Sequence, residues 1–316
     1  MSRSRLFREL MRRRVLVLDG SLGVQIQRSP ASAGGNVDML NITRPDVVAA
    51  IHRSYLDAGA DIIETNTFNS NAISQQEYAM EHRVEDLNRR GVAIARAETQ
   101  HAEELDPSRP RFVAGSMGPT PVAVSLPDEV DSPAYRAVDF DTLAEAARQQ
   151  SEALLRAGVD LIILETCFDA LNIKAQLSGI RHALDSLQSD IPLIVSVTLS
   201  DASGRLLSGH TLDAVLAIVK EFRPDAVGFN CGSGPDSLAR HVRELADKSP
   251  FPIIFYPNAG LPDRMGNYSL TPEAFVDTVK PLLDDGLLNI VGGCCGTTPQ
   301  HIALLSETAR KASTCR

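Results

Sequence analysis

The feature that most constrains the fold is a repeated alternation of short apolar runs with longer stretches of helical periodicity. Two segments show the same pattern, in which a glycine ends a helix and a β-rich run follows. They are Asp57-Ala-Gly-Ala-Asp-Ile-Ile-Glu and Arg156-Ala-Gly-Val-Asp-Leu-Ile-Ile-Leu-Glu. Strands that alternate with helices in this way form parallel sheets. The sequence predicts eight such strands, at residues 15–19, 61–65, 112–116, 160–166, 193–198, 226–230, 253–256 and 289–292.

Eight strands in a chain of 316 residues predict an α/β fold of the (β/α)8 or TIM-barrel type. The composition shows no linker or break, so we expect a single domain over residues 1–316. Among the helices, one should follow Thr43 as its cap, one should end at Gly158, and one should begin after Thr271. The corresponding helical patterns cover residues 45–58, 143–157 and 272–283.

Charge and hydropathy narrow the class of function. Acidic residues outnumber basic ones by 40 to 31, which gives a net charge of −9 and disfavours nucleic acid as a partner. No run approaches the roughly 18 apolar residues that would span a membrane. Small-molecule chemistry is therefore the expected function.

The first fourteen residues depart from this acidic balance, because they contain six arginines and only one glutamate. The apolar run that follows, at residues 15–18, is too short for a secretory signal, so we expect a cytoplasmic protein. The segment predicts a basic N-terminal helix across one end of the barrel, with Leu6, Leu10 and Phe7 on its apolar face. Its arginines could also dock an acidic partner.

Active sites of such barrels lie at the carboxyl ends of the strands, and three cysteines occupy that position. Cys231 ends the sixth strand, and Cys294 and Cys295 end the eighth. Three thiolates with an open fourth position are typical of catalytic zinc, provided that the chain turns sharply at Gly292, Gly293 and Gly296. The alternative is a buried Cys231 beside a redox-active pair.

An open zinc site rich in sulfur favours a further thiol as substrate, because coordination removes the proton from a thiol that is mostly protonated at neutral pH. The chemistry that follows is alkylation of that sulfur. Cys167 and Cys315 lack this context and are expected to be structural or incidental. A zinc hydrolase would instead need histidines near the metal, whereas His210 and His301 are expected to be structural.

Polar residues at other strand ends suit an amino-acid substrate. Asp19 and Glu165 could together hold an ammonium group, while backbone amides near Gly20 hold a carboxylate. Glu64 is a weaker candidate for the same role. Asn258 could fill the fourth zinc position until the substrate displaces it, but an asparagine that forms a turn before Ala-Gly-Leu-Pro is an equal alternative.

The same residues lie in motifs through which the chain resembles the homocysteine S-methyltransferase family. Within it, the chain is most similar to the homocysteine-binding module of cobalamin-dependent methionine synthases. The most specific element is Gly-Gly-Cys-Cys-Gly with an upstream Asn-Cys. The matching stretches are Leu18-Asp-Gly-Ser-Leu-Gly, residues 41–69, Gly115-Ser-Met-Gly-Pro-Thr, Glu165-Thr, Asp201-Ala-Ser-Gly-Arg, Asn230-Cys-Gly, Pro257-Asn-Ala-Gly-Leu-Pro and Gly292-Gly-Cys-Cys-Gly-Thr-Thr-Pro.

The resemblance implies zinc on Cys231, Cys294 and Cys295, and homocysteine held by Asp19, Gly20 and Glu165. Homocysteine would be activated as a zinc thiolate and methylated to methionine.

The resemblance also bears on the methyl donor. The chain lacks the Asp-x-His-x-x-Gly element that ligates cobalamin in those enzymes, and the barrel uses the whole sequence. It therefore predicts a fragment or a split-enzyme subunit, to which other modules or a partner chain bring methylcobalamin. The alternatives are a self-contained enzyme that uses S-methylmethionine or betaine, and a non-catalytic barrel with a structural zinc.

Overall fold

The structure, a computed structural model, describes residues 2–29, 35–125, 136–200 and 203–314. All eight predicted strands form, each within two residues of its predicted bounds. The strands are β1 (Leu16–Val17), β2 (Ile62–Glu64), β3 (Phe112–Met117), β4 (Leu161–Cys167), β5 (Leu193–Val197), β6 (Ala226–Cys231), β7 (Ile253–Pro257) and β8 (Ile290–Val291).

Helices separate the strands along the chain, and three short 3-10 turns lie at residues 37–39, 76–78 and 81–83. The described helices are α1 (Arg3–Arg13), α2 (Leu22–Arg28), α3 (Leu40–Thr43), α4 (Pro45–Asp57), α5 (Ala72–Gln75), α6 (Val84–Leu105), α7 (Phe140–Ala157), α8 (Ala170–Ser186), α9 (Leu212–Glu221), α10 (Pro235–Lys248), α11 (Pro272–Asp284) and α12 (Pro299–Ala309). No helix of the described segments is long and apolar enough to cross a membrane.

The strands are parallel and follow chain order around a nearly closed barrel. The ring closes between β1 and β2 through one bridge, Leu18 with Ile62, and two flanking backbone hydrogen bonds. In these bonds the amide of Asp19 donates to Ile62 over 3.0 Å, and that of Asp61 donates to Val17 over 2.7 Å. The predicted single-domain TIM barrel is confirmed.

Helix ends follow the predicted signals except at α4. Gly158 ends α7 with φ of 89°, and the Thr271 side chain accepts from the amide of Ala274 at the start of α11. The prediction that Thr43 caps α4 is wrong. The Thr43 hydroxyl donates to the carbonyl of Met39, just before its own helix, and Pro45 at the first position of α4 brings no amide hydrogen that needs a cap.

The basic N-terminal helix is confirmed, and Leu6, Leu10 and Phe7 all contribute to its apolar face, together with Met11, which was not predicted. Phe7 and Met11, one helical turn apart, are buried in the cluster that fills the barrel interior, whereas Leu6 and Leu10 are only partly buried. The Phe7 ring meets Phe112 edge-on, with centroids 5.1 Å apart. Helix α1 therefore closes the amino-terminal end of the barrel, and the opposite end remains for a site.

A fourfold pattern of polar residues organises that closed end. Each even-numbered strand is preceded by an Asp or Asn, buried except for the partly exposed Asp225, whose side chain accepts the amide hydrogen of a residue in the preceding odd-numbered strand. The donor and acceptor pairs are Val17 with Asp61, Val113 with Asp160, Leu193 with Asp225, and Ile253 with Asn289, at 2.8 to 3.0 Å.

Helix α1 and the residue after it neutralise these acids. Arg3 donates to Asp160 over 2.8 Å, Arg8 donates to Asp225 over 2.5 Å, and Arg14 donates to Asp61 over 2.7 Å. These three arginines therefore pair within the barrel, and docking of the basic segment to an acidic partner stays a prediction.

Candidate metal centre and substrate cavity

A cavity of about 420 Å³ opens at the carboxyl end of the barrel. The ends of several strands form its wall, as predicted for this fold. Among the predicted site residues, the wall contains Gly20, Glu64, Glu165, Cys231, Cys294 and Cys295.

The three predicted cysteines converge at one side of this cavity. Their sulfur atoms all lie within 4.8 Å of one another, and Cys295 Sγ is 4.0 Å from the sulfurs of both Cys231 and Cys294. Zinc holds thiolates at about 2.3 Å in a tetrahedron, which puts neighbouring sulfurs about 3.8 Å apart. The spacing and the soft donor set therefore fit a zinc ion.

Unusual backbone positions bring these sulfurs together. Cys231 at the end of β6 has φ of 61°, and Gly232 after it has φ of 70°. Of the three glycines expected to turn the chain near Cys294 and Cys295, Gly296 does so with φ of 84°. Gly292 and Gly293 are needed for close packing instead, since a Cβ would lie 2.8 Å from Leu18 and 2.5 Å from Thr297, respectively.

The sulfurs polarise one another strongly. Hydrogen bonds from Cys231 and Cys294 lower the pKa of Cys295 to about 3. The hydrogen bonds with Cys231 and Cys295, followed by burial, raise the pKa of Cys294. Hydrogen bonds among the three sulfurs thus favour ionisation within the cluster, and a bound cation would displace the remaining protons.

Predicted carboxyl groups lie next to the sulfurs: Glu64 and Glu165 line the cavity, whereas Asp19 is buried beside Glu64 and is not part of the described wall. Glu165 accepts a 2.5 Å hydrogen bond from the Ser116 hydroxyl, and burial raises the pKa of Glu165 to about 7. Asp19 accepts from the amide of Glu64 over 3.0 Å. Burial is the largest cause of a raised pKa in both Asp19 and Glu64, and the adjacent Glu165 adds to it.

These acids lack the partners that buried carboxylates normally require. Asp19 Oδ1 and Glu64 Oε1 are buried without a hydrogen-bond partner in the described part of the chain. No lysine, arginine or histidine occurs among the described residues of the cavity wall. An ammonium group entering the cavity would supply the missing donors and the missing charge.

Asn258 is buried next to Cys231 and Gly232 and is not part of the described cavity wall. Its Nδ2 donates to the Gly232 carbonyl over 2.7 Å, next to the turn at Cys231. Its Oδ1 is buried and finds no partner among the described residues. Asn258 therefore supports the turn through its Nδ2, and its Oδ1 is left as an acceptor for a cation or for a hydrogen-bond donor.

Four contributors were given no role from the sequence: Ser116 and Asn230, which lie in the quoted motifs, and Tyr256 and Tyr268, which were not named. Tyr256 and Tyr268 line the cavity, and the Tyr256 hydroxyl is buried without a partner among the described residues. The only local signal was the position of Asn230 directly before Cys231. The tyrosines follow the pattern of ordinary core or loop residues.

The remaining predicted residues lie apart from the cluster. Cys167 is buried, with its sulfur 3.7 Å from the Glu165 carbonyl. His210 contacts Ser208, and His301 contacts Thr298 and the Leu270 carbonyl, in keeping with structural roles. Cys315, Asp201 and Ala202, and parts of the loops at 28–41 and 119–139 are outside the described residues.

Comparison with known proteins agrees with this geometry. Residues 16–309 match the family model of homocysteine S-methyltransferase. The metallated form of the homocysteine methyltransferase MmuM from Escherichia coli is similar in structure, with a TM-score of 0.74, 23% sequence identity, and coverage of 93% of this chain and 96% of that one. Its oxidised form gives a TM-score of 0.73 at 22% identity, covering 93% and 95%. At these identities the structural likeness supports the fold.

Proposed function

This chain belongs to the homocysteine S-methyltransferase family, and we propose that residues 1–316 form a homocysteine-binding barrel that methylates the substrate sulfur to give methionine, with zinc as cofactor. The observation that carries the proposal is the placement of three clustered sulfurs beside buried acids that have no basic partner. The sulfurs suit the thiol end of homocysteine, and the acids suit its ammonium end.

Cys231, Cys294 and Cys295 would hold the zinc ion, and the orphaned Oδ1 of Asn258 is the candidate for the fourth position before substrate arrives. When bound, zinc would lower the pKa of a coordinated thiol, so that the substrate sulfur is available as a nucleophile at neutral pH. The chain then needs no side-chain base for methyl transfer itself.

The substrate head would lie against Asp19, Glu165 and Gly20. An ammonium group would favour the charged forms of Asp19 and Glu165, which burial alone disfavours. The Ser116 hydroxyl holds Glu165 in place for this contact. Gly20 leaves room for backbone approach, because a Cβ there would lie 2.7 Å from the Tyr55 ring. These contacts would orient the sulfur for in-line displacement.

For the methyl donor, we propose methylcobalamin, carried to the mouth of the cavity by other modules or a partner chain. The support is the sequence itself, since Glu64-Thr-Asn-Thr-Phe-Asn and Pro257-Asn-Ala-Gly-Leu-Pro resemble the cobalamin-dependent branch. Both stretches lie at the carboxyl end of the barrel, where a second protein would have access.

A second candidate donor is S-methylmethionine, and the chemistry of the cavity wall favours it. The wall contains acids and three aromatic residues, Phe68, Tyr256 and Tyr268, and its described residues include no basic side chain. A sulfonium cation would be attracted both by the carboxylates and by the aromatic faces. Assays of homocysteine methylation with methylcobalamin, S-methylmethionine and betaine in parallel would separate the candidates.

Substitution of Cys294 tests the metal centre. We expect Cys294→Ser to abolish zinc retention and homocysteine methylation while circular dichroism stays near that of the wild type. The matched control is Cys167→Ser, which alters a buried cysteine outside the cluster and should retain zinc. Zinc and activity retained by Cys294→Ser would refute the assignment.

The structural-zinc alternative predicts a closed coordination shell. Zinc X-ray absorption with and without homocysteine distinguishes it, because the proposed enzyme gains a sulfur neighbour and a structural site does not.

A further inference from the structure

The proposed function, on which this inference rests, poses a problem of selectivity among sulfurs. Three cysteine sulfurs lie together with the substrate sulfur, and all four would face the methyl donor. If a cysteine attacked, its lone pair would form a carbon–sulfur bond while the bond from the methyl group to the leaving group broke and the leaving group took that electron pair. The resulting thioether would no longer be an anionic ligand, and the site would be lost.

Asn230 is held so that its amide hydrogen faces one of these sulfurs. Its Oδ1 accepts from the Ser196 hydroxyl over 2.7 Å and from the amide of Thr166 over 2.9 Å, which fixes the orientation of the carboxamide. Its Nδ2 donates to the Thr166 hydroxyl over 2.7 Å and to Cys294 Sγ over 3.9 Å. Asn230 is fully buried, so these contacts face no competition from solvent.

Tyr268 takes the corresponding position at a second sulfur. It lines the cavity together with Cys295, and its phenol, after Cys231 and Cys294, is one of the groups that lower the pKa of that cysteine. The ring packs directly on the backbone at Gly296, where a Cβ would lie 2.1 Å from Tyr268 Cγ.

The loop that carries Tyr268 is closed by its own hydrogen bonds. Pro262 and Tyr268 form an antiparallel bridge, and Asp263 closes the hairpin by accepting from the amides of Met265 and Asn267. The position of the phenol is therefore set by the fold of the β7–α11 connection.

We propose that Asn230 and Tyr268 are specificity-determining positioning residues, whose hydrogen bonds to Cys294 and Cys295 direct methylation away from the protein and onto the substrate sulfur. A hydrogen bond to an anionic sulfur occupies a lone pair and weakens it as a nucleophile. Both cysteines can still act as ligands, because a thiolate has more than one lone pair.

The test exposes zinc-loaded protein, without homocysteine, to methyl iodide and follows S-methylation of each cysteine by peptide mass spectrometry. In Asn230→Asp the donor becomes an acceptor, so methylation should be about tenfold faster at Cys294 and little changed at Cys295. That ratio corresponds to about 1.4 kcal/mol, near the lower end for hydrogen bonds to charged groups. Tyr268→Phe should give the opposite pattern, with faster methylation at Cys295.

Matched controls separate this effect from general loosening. Tyr78→Phe removes an exposed phenol, and Asn289→Asp changes a buried asparagine at the far end of the barrel. In both variants, Cys294 and Cys295 should be methylated at the wild-type rates. The zinc content is measured in the same samples. The methylation rate of Cys294 tests Asn230→Asp and that of Cys295 tests Tyr268→Phe, so that if one variant fails to fold, the other still tests the inference. The inference would be overturned by an unchanged methylation rate at Cys295 in zinc-loaded Tyr268→Phe, or at Cys294 in zinc-loaded Asn230→Asp. If the wild-type protein itself bound no zinc, the proposed function would be overturned as well.

Discussion

The two ends of the barrel treat buried acids in opposite ways. At the closed end, Asp61, Asp160 and Asp225 each accept from a backbone amide and from an arginine. At the open end, Asp19 and Glu64 keep buried oxygens that have no partner in the described residues. A buried carboxylate whose oxygens all have hydrogen-bond partners is typical of a structural role, and one with an unpaired oxygen is typical of a ligand site.

The largest expected effect tests the closed end. Asp160→Ala should lower the free energy of unfolding by about 3 kcal/mol, because Arg3, Arg96 and the amide of Val113 all lose their acceptor. Urea denaturation followed by circular dichroism measures the change. Asp277→Ala on the exposed face of α11 is the control and should shift stability little. Equal effects of the two substitutions would break the comparison.

At the open end, Glu165→Gln should affect binding rather than stability. Loss of the charge should weaken homocysteine binding by about 1.5–3 kcal/mol, the range for hydrogen bonds to charged groups. Because Glu165 has no basic partner among the described residues, urea denaturation should show no comparable loss of stability. Calorimetric titration of the zinc-loaded variant measures the binding. Unaltered affinity would remove Glu165 from the substrate site.

Asp38 is a buried acid at the open end whose effect on stability should depend on pH. It lies on the cavity wall, accepts from the Ser70 hydroxyl and the Asn69 amide, and has its pKa raised to about 7 by burial. Between the ordinary aspartate pKa of about 3.9 and 7, the folded protein binds a proton that the unfolded chain has lost, so stability falls as pH rises through this window.

Asp38→Asn should remove that loss and raise the free energy of unfolding at pH 8 by about 2 kcal/mol relative to the wild type. At pH 4 the two proteins should differ little. Denaturation curves at both pH values measure the difference, with Asp277→Asn as the exposed control. A constant difference at both values would show that Asp38 does not titrate in this range.

The smallest effect concerns the rim of the closed end. Arg8 and Asp225 are both partly exposed, at 30% and 18% of their side chains, so Arg8→Ala should cost about 1 kcal/mol. The cost should shrink at high salt, since exposed charges are screened. Thermal unfolding at low and high salt measures both values. A salt-independent cost would indicate lost packing rather than lost charge.

How far the sequence predicts the molecule depends on whether the signal is local. The strands were predictable because their apolar runs are bounded by glycines such as Gly59 and Gly158, and Cys231, Cys294 and Cys295 stand at strand ends that a barrel brings together. The pairing of Arg3 with Asp160 spans 157 residues, and no local pattern shows it. Tyr268 was missed for the same reason, because its contact with Gly296 depends on the path of a loop.

The alternating Asp and Asn clamps also divide the ring into four two-strand quarters, β1–β2, β3–β4, β5–β6 and β7–β8. In three quarters the clamp adds to the strand ladder, whereas β1 and β2 are joined by the clamp, one bridge and the two backbone hydrogen bonds beside it. Amide exchange should therefore be fastest between β1 and β2, where no ladder backs the clamp, and the cysteine-bearing strands β6 and β8, which belong to different quarters, should loosen independently of one another.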